Sequence, residues 1–153
     1  MSEAFVLPGI SWLESLTPEE RQLFTSFGEI ISLPPKEIII REGEAQPYLF
    51  FVLKGMLSVR RGDAVVAVVC EREFLGEMTI ATKNRFASAT VLSLEPCEVW
   101  RMSQKTLMRF FDEHKESGIK ILLALLSTVS ERLYAVNTDL AELLNERRRG
   151  DFS

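Results

Sequence analysis

The chain has 153 residues, 46% of them hydrophobic, enough to bury one core and little more. Its formal net charge of -4 speaks against direct nucleic-acid binding, which normally shows a basic stripe. Met1 to Pro8 has no basic start, and apolar stretches such as Ala64 to Cys70 are too short to span a bilayer, so neither a secretion signal nor a membrane helix is expected.

Two helix starts stand near the N-terminus. Ser11-Trp12-Leu13-Glu14 fits a capping box, as does Thr17-Pro18-Glu19-Glu20, with proline at the first helical position. Leu13, Leu16, Leu23, Phe24 and Phe27 are expected to face the core. From Phe27 the pattern changes to short runs rich in Val, Ile, Leu and Phe, broken by Gly, Pro or charged residues. Strands are predicted at Gly28–Leu33, Glu37–Arg41, Leu49–Lys54, Leu57–Arg60, Ala64–Cys70, Ser88–Leu94 and Cys97–Arg101, with a further strand leading into Gly76. That spacing predicts an all-β sandwich or jelly roll. Arg61-Gly62-Asp63 reads as a hairpin turn rather than an adhesion motif. Cys70 and Cys97, single and in apolar surroundings, are expected to be free buried thiols in a reducing cytoplasm. Two cysteines and one histidine are too few for a metal or iron–sulfur site.

After Met102 the pattern is helical again. Ser103–Asp112 reads as a short helix and Glu113–Gly118 as a polar break, in which His114 is expected to be solvated or capping. One long helix is predicted from Gly118 to Arg148, about 45 Å at about 1.5 Å per residue. Ile119, Leu122, Leu126, Val129, Leu133, Val136, Leu140 and Leu143 are spaced alternately three and four apart, a heptad seam. The seam predicts a two-fold homodimer through Leu122, Leu126, Val129, Leu133, Val136, Leu140 and Leu143, against the alternative of a helix packed on its own sandwich. Leu123, Leu125 and Leu144 are expected to face the β-domain. Arg147, Arg148 and Arg149 suit the negative end of the helix dipole.

Phe74-Leu75-Gly76-Glu77-Met78 is followed about ten residues later by Ala87-Ser88-Ala89-Thr90-Val91. This pair of segments resembles the phosphate-binding cassette of cyclic-nucleotide-binding domains, where Phe-x-Gly-Glu leads to Arg-Ser/Ala-Ala-Thr. Glu37 to Glu44 looks like the strand and glycine turn of the cyclic-AMP receptor protein superfamily, and Leu53-Lys54-Gly55-Met56-Leu57-Ser58-Val59 is similar to its next signature. The long helix resembles that family's dimer helix. The resemblance runs from about Leu13 to Leu144 and implies one domain over 1–153: N-terminal helices at 10–27, a jelly roll at 28–102 and C-terminal helices at 103–149.

What the resemblance implies for function follows the chemistry of the ligand. A carboxylate, here Glu77, accepts the ribose 2′-hydroxyl. Gly76, Met78 and Thr79 lie on a turn whose amides hold the phosphate, with Ser88 and Ala89 on the return strand. Arg85 or Lys83 would supply charge, and Asn137 would approach the base. The ligand would be cAMP or cGMP, with no other cofactor. The family's arginine, however, falls at Phe86 or Ala87. Losing such a partner typically costs about 2–5 kcal/mol, roughly thirtyfold to several-thousandfold in affinity. Arg72 stands where the family usually has glycine, and Val136 where it has a base-contacting polar group. Three readings remain open: a cyclic nucleotide, another small anionic ligand, or a pocket that has lost its ligand in a dimerisation or protein-interaction module. No helix-turn-helix is expected after the long helix, the alternative being that the chain is the regulatory part of a larger protein, and no catalytic constellation can be assembled. The expectation is a stand-alone cytoplasmic signal-transduction module, not an enzyme, that acts on a downstream protein partner.

Overall fold

Eight strands and three helices follow one another in the described residues, 5–7, 13–76 and 86–150, of the computed structural model. They are α1 (Pro18–Ser26), β1 (Glu29–Leu33), β2 (Ile38–Ile40), β3 (Tyr48–Lys54), β4 (Leu57–Arg61), β5 (Ala64–Val69), β6 (Phe74–Leu75), β7 (Thr90–Ser93), β8 (Cys97–Ser103), α2 (Gln104–Glu113) and α3 (Lys115–Gly150). The strands form two antiparallel four-stranded sheets, ordered β1-β8-β3-β6 and β2-β7-β4-β5. This is the jelly-roll-like sandwich that the strand spacing predicts, with a short helix before it and a long one after it.

Alternation along the strands sets the layers. On β3, Leu49 and Phe51 enter one apolar cluster while Phe50 and Val52 enter another. On β8, Trp100 and Met102 face the first cluster, and Cys97 and Val99 face the second. The first sheet is therefore buried on both faces. Its outer face packs under the helices through Leu13, Leu16, Phe24, Leu107, Phe110, Ile121 and Leu125. Its inner face, Leu75 included, meets the second sheet through Leu57, Val69 and Val91. Each fully buried large apolar side chain stabilises the fold by about 1.5–3 kcal/mol. The indole of Trp100 packs against Phe24 and donates to the Thr25 carbonyl at 3.0 Å, so the one polar atom of the buried ring is satisfied.

The helices are held by specific bonds. Thr17 caps α1: its hydroxyl accepts from the Glu20 amide, and the Glu20 carboxylate accepts from the Thr17 amide at 3.0 Å, as the capping box predicts. The same carboxylate accepts from Ser117 at 2.6 Å and from Lys120 at 2.8 Å, tying α1 to the root of α3. These bonds, that of Lys120 first, hold the Glu20 carboxyl down at about 2.

Several expectations change. The long helix begins at Lys115, not Gly118, because Gly118 is buried inside it: a side chain there would press on Phe111 of α2 at 2.9 Å. The break between α2 and α3 narrows to His114, which closes α2 through its amide and stacks half-buried between Phe27 and Phe110. Leu23 is exposed, because Phe24 takes the core-facing position of α1. Leu123 and Leu144 do not face the β-domain; they are exposed, and Ile121 and Leu125 make that contact instead. Cys97 is buried as expected, while Cys70, just past the end of β5, is exposed; both thiols are free. Ser11 and Trp12, where one capping box was expected, lie outside the described residues.

Candidate functional site

The site is built where β6 leaves the first sheet. β6 has two residues, and they split between the layers: Phe74 enters the cluster under the helices and Leu75 the cluster between the sheets. Gly76 follows with φ +89°. A Cβ there would strike the Tyr48 carbonyl and lie 2.7 Å from Nε2 of Gln46. Only glycine fits both the dihedral and the space. The missing side chain makes room for the Tyr48 carbonyl and the Gln46 side chain. Gln46, itself buried, forms that wall by folding onto Tyr48, donating to its carbonyl at 2.6 Å and accepting from its amide at 2.9 Å.

Glu77, Met78, Thr79, Lys83 and Arg85 lie outside the described residues. The chain is described again at Phe86, where the return segment is fastened to the turn after β2. Phe86 bridges Ala45, the Ala87 amide donates to the Glu44 carbonyl, and the Ala87 carbonyl accepts from the Gly43 amide, both at 2.8 Å. Thr90 adds a side-chain bond by accepting from the Glu42 amide at 3.1 Å. This register separates the two positions the sequence left open for the missing arginine by their burial. Phe86 is 68% exposed, while Ala87 packs against the cluster between the sheets. The inward position is Ala87, and it carries a methyl group. Ser88 is exposed and Ala89 half-buried.

The long helix contributes a residue that sequence reasoning missed. Arg132 crosses from α3 to β6: its guanidinium donates to the Phe74 carbonyl at 2.7 Å and sits 4.7 Å from the centre of the Phe74 ring. It combines a charge-assisted hydrogen bond with a cation–π contact. The signal in the sequence was its place one residue before the seam position Leu133, on the flank that faces the body. Asn137, five residues on, is exposed. So are Leu122, Leu126, Leu133, Val136, Leu140 and Leu143 of the seam, with Val129 half-buried. Every residue from Leu133 to Gly150 is exposed.

Among the described residues, no helix is long and apolar enough to cross a membrane, and no group of three or more His, Cys, Asp or Glu is placed to hold a metal.

Comparison with known proteins agrees with this geometry. Residues 30–114 match the model of the cyclic nucleotide-binding domain. The cAMP-activated global transcriptional regulator CRP of Salmonella typhimurium is 25% identical over 125 residues, covering 78% of this chain and 58% of the regulator. The voltage-gated inwardly rectifying potassium channel KCNH2 of Cavia porcellus is 24% identical over 127 residues, covering 78% of this chain and 10% of the channel. The chain thus spans a small part of the channel and under two thirds of the regulator. The crystal structure of the Thermus thermophilus catabolite activator protein has the same fold, with a TM-score of 0.75 at 19% identity over 88% of this chain and 63% of that one.

Proposed function

Because the chain belongs to the cyclic nucleotide-binding domain family, matched over more than half its length, we propose that it binds a cyclic nucleotide and acts as a homodimer joined along α3. It is a sensor-type module, not an enzyme. The observation that carries the reading is the Arg132–Phe74 contact, which ties the helix bearing the exposed seam to the strand that opens the cassette. A ligand held after Gly76 therefore acts on the same few residues that fix the slope of the helix. On this reading Glu77 accepts from the ribose, and the amides of Met78, Thr79, Ser88 and Ala89 hold the phosphate, aided by Arg85.

Asn137 takes its role from the pairing of helices. Along the seam, Arg132 lies on one flank and Asn137 on the other. In a parallel coiled coil, opposite flanks face each other across the dimer. Asn137 of each copy then approaches the flank of the second copy that carries its arginine, and with it the second cassette. The exposed free thiol of Cys70 suits a reducing cytoplasm. The output would pass to a downstream protein.

Titration calorimetry with cAMP and with cGMP tests the proposal. Binding that is lost in Glu77→Ala is expected. A folded dimer that gives no heat at millimolar ligand overturns it. One observation favours a second reading, a different ligand or none: the inward position on the return segment is the methyl of Ala87.

A further inference from the structure

Tyr48 opens β3, and its backbone amide and carbonyl face the β6 side. The alternation of the strand requires this. The Val52 amide donates to the Glu73 carbonyl and the Val52 carbonyl accepts from the Arg72 amide, both at 2.9 Å, and Phe50 and Tyr48 follow Val52 at steps of two. Phe51 pairs with Phe74 and Phe50 with Leu75, so a longer β6 would set position 77 opposite Tyr48 and bond to both of its groups. Both groups are already taken. The Gln46 side chain donates to the Tyr48 carbonyl at 2.6 Å and accepts from the Tyr48 amide at 2.9 Å. A primary amide carries an acceptor and N–H donors, as a peptide group does, and here it substitutes for the next rung of the ladder. Gln46 is only 6% exposed, so water competes little for these bonds.

We propose that Gln46 is a positioning residue of the ligand site, a role that rests on nucleotide binding at the cassette: it ends the β6 ladder and so frees the chain beyond Gly76 to face a ligand. The turn that carries Gln46 is suited to the task. It is fixed to the body, because the Pro47 carbonyl accepts from the Gln104 amide at the start of α2, at 2.7 Å. Pro47 also biases Gln46 toward extended backbone. The same turn holds the far end of the cassette. Ala45 bridges Phe86, the Gly43 amide donates to the Ala87 carbonyl, and the Glu44 carbonyl accepts from the Ala87 amide. Gly43 to Gln46 thus sets both Gly76, where the chain leaves the sheet, and Phe86, where it returns. The return end is held by backbone bonds, which no side-chain change removes. The outgoing end is held by the side chain of Gln46 and is open to substitution.

Two substitutions in the full chain test this. Gln46→Ala removes the substitute rung, so that β6 can lengthen along Tyr48. Titration calorimetry should then show cAMP and cGMP binding weakened about tenfold. Ligand-free hydrogen exchange should slow at the amide of position 77. Removing a residue that only supported the fold would speed exchange there, so unchanged or faster exchange overturns the proposal, as does unchanged affinity. Gln46→Glu keeps the size and the acceptor but carries a donor only when protonated. Burial beside the Tyr48 carbonyl favours the protonated form. The affinity of this variant should therefore climb toward that of the wild type as pH falls from about 9 to about 5, more steeply than the wild type changes. Parallel pH profiles overturn the proposal. A wild type that binds neither nucleotide sinks the proposed function instead, and ligand-free exchange then decides alone whether Gln46 ends β6.

Discussion

The guanidinium of Arg132 bonds to the carbonyl of Phe74 and covers the ring of the same residue, so that a single side chain fastens α3 to β6. Arg132→Ala is expected to cost about 1–3 kcal/mol in urea denaturation. It should also speed hydrogen exchange at Phe74, Leu75 and Gly76. Arg132→Lys keeps the charge but loses the planar fork and stack, and should recover only part of the protection. A fall in global stability with unchanged exchange at β6 would count against the latch.

Ala87 and Phe86 make a paired test of the missing arginine. Ala87→Arg places a guanidinium at the inward position. It should tighten cyclic-nucleotide binding by about thirtyfold or more, and it should lower the ligand-free melting temperature, because the charge enters the cluster holding Leu75 and Val91. Phe86→Arg sits on an exposed position and should leave affinity unchanged. Equal gains from both, measured by calorimetry, would refute the register argument.

Glu20 predicts an acid-sensitive tether. Its carboxyl is held at about 2 against an ordinary 4.5, chiefly by Lys120, then by Ser117 and the Thr17 amide. A depressed carboxylate stabilises the folded state fully above the unfolded value and loses that contribution as pH falls from about 4.5 to about 2. Lys120 is about one-third exposed, so screening reduces the gain. Glu20→Gln should therefore cost about 1 kcal/mol near neutrality. Denaturation at pH 7, 4 and 2.5 should show the gap between wild type and variant closing. A gap that does not depend on pH would contradict this.

Arg72 holds φ +71°, a left-handed conformation that disfavours a side chain. Arg72→Gly should raise stability by up to about 1 kcal/mol, the relieved strain being partly offset by the greater freedom of unfolded glycine. Arg72→Val should lower it. A thermal melt in which valine matches glycine would dismiss the strain.

The strands were legible because their boundaries are marked by local chemistry: the Arg61-Gly62-Asp63 turn, Gly55 and Pro96 all lie between apolar runs. The cap on α1 was legible for the same reason. What escaped was set by contacts distant in sequence. Gly118 reads as a helix breaker until Phe111 is found against it, and Leu23 and Phe24 look alike until Trp100 selects one. Leu123 and Leu144 satisfy a heptad flank, but periodicity does not say which flank meets the body. Arg132 was passed over because its partner is a backbone carbonyl, which no residue type announces. The family was legible in the motif; which of Phe86 and Ala87 turns inward needed the bridge to Ala45.

α3 is one unbroken helix from a root clamped by Glu20 to an end whose residues, from Leu133 onward, are all exposed. Beyond Arg132 it runs on for about 27 Å at about 1.5 Å per residue. A lever of that length magnifies: a tilt of about 10° at Arg132 carries the far end about 5 Å. A shift at the cassette too small to disturb the sandwich thus becomes, at Gly150, a displacement comparable to a full turn of helix.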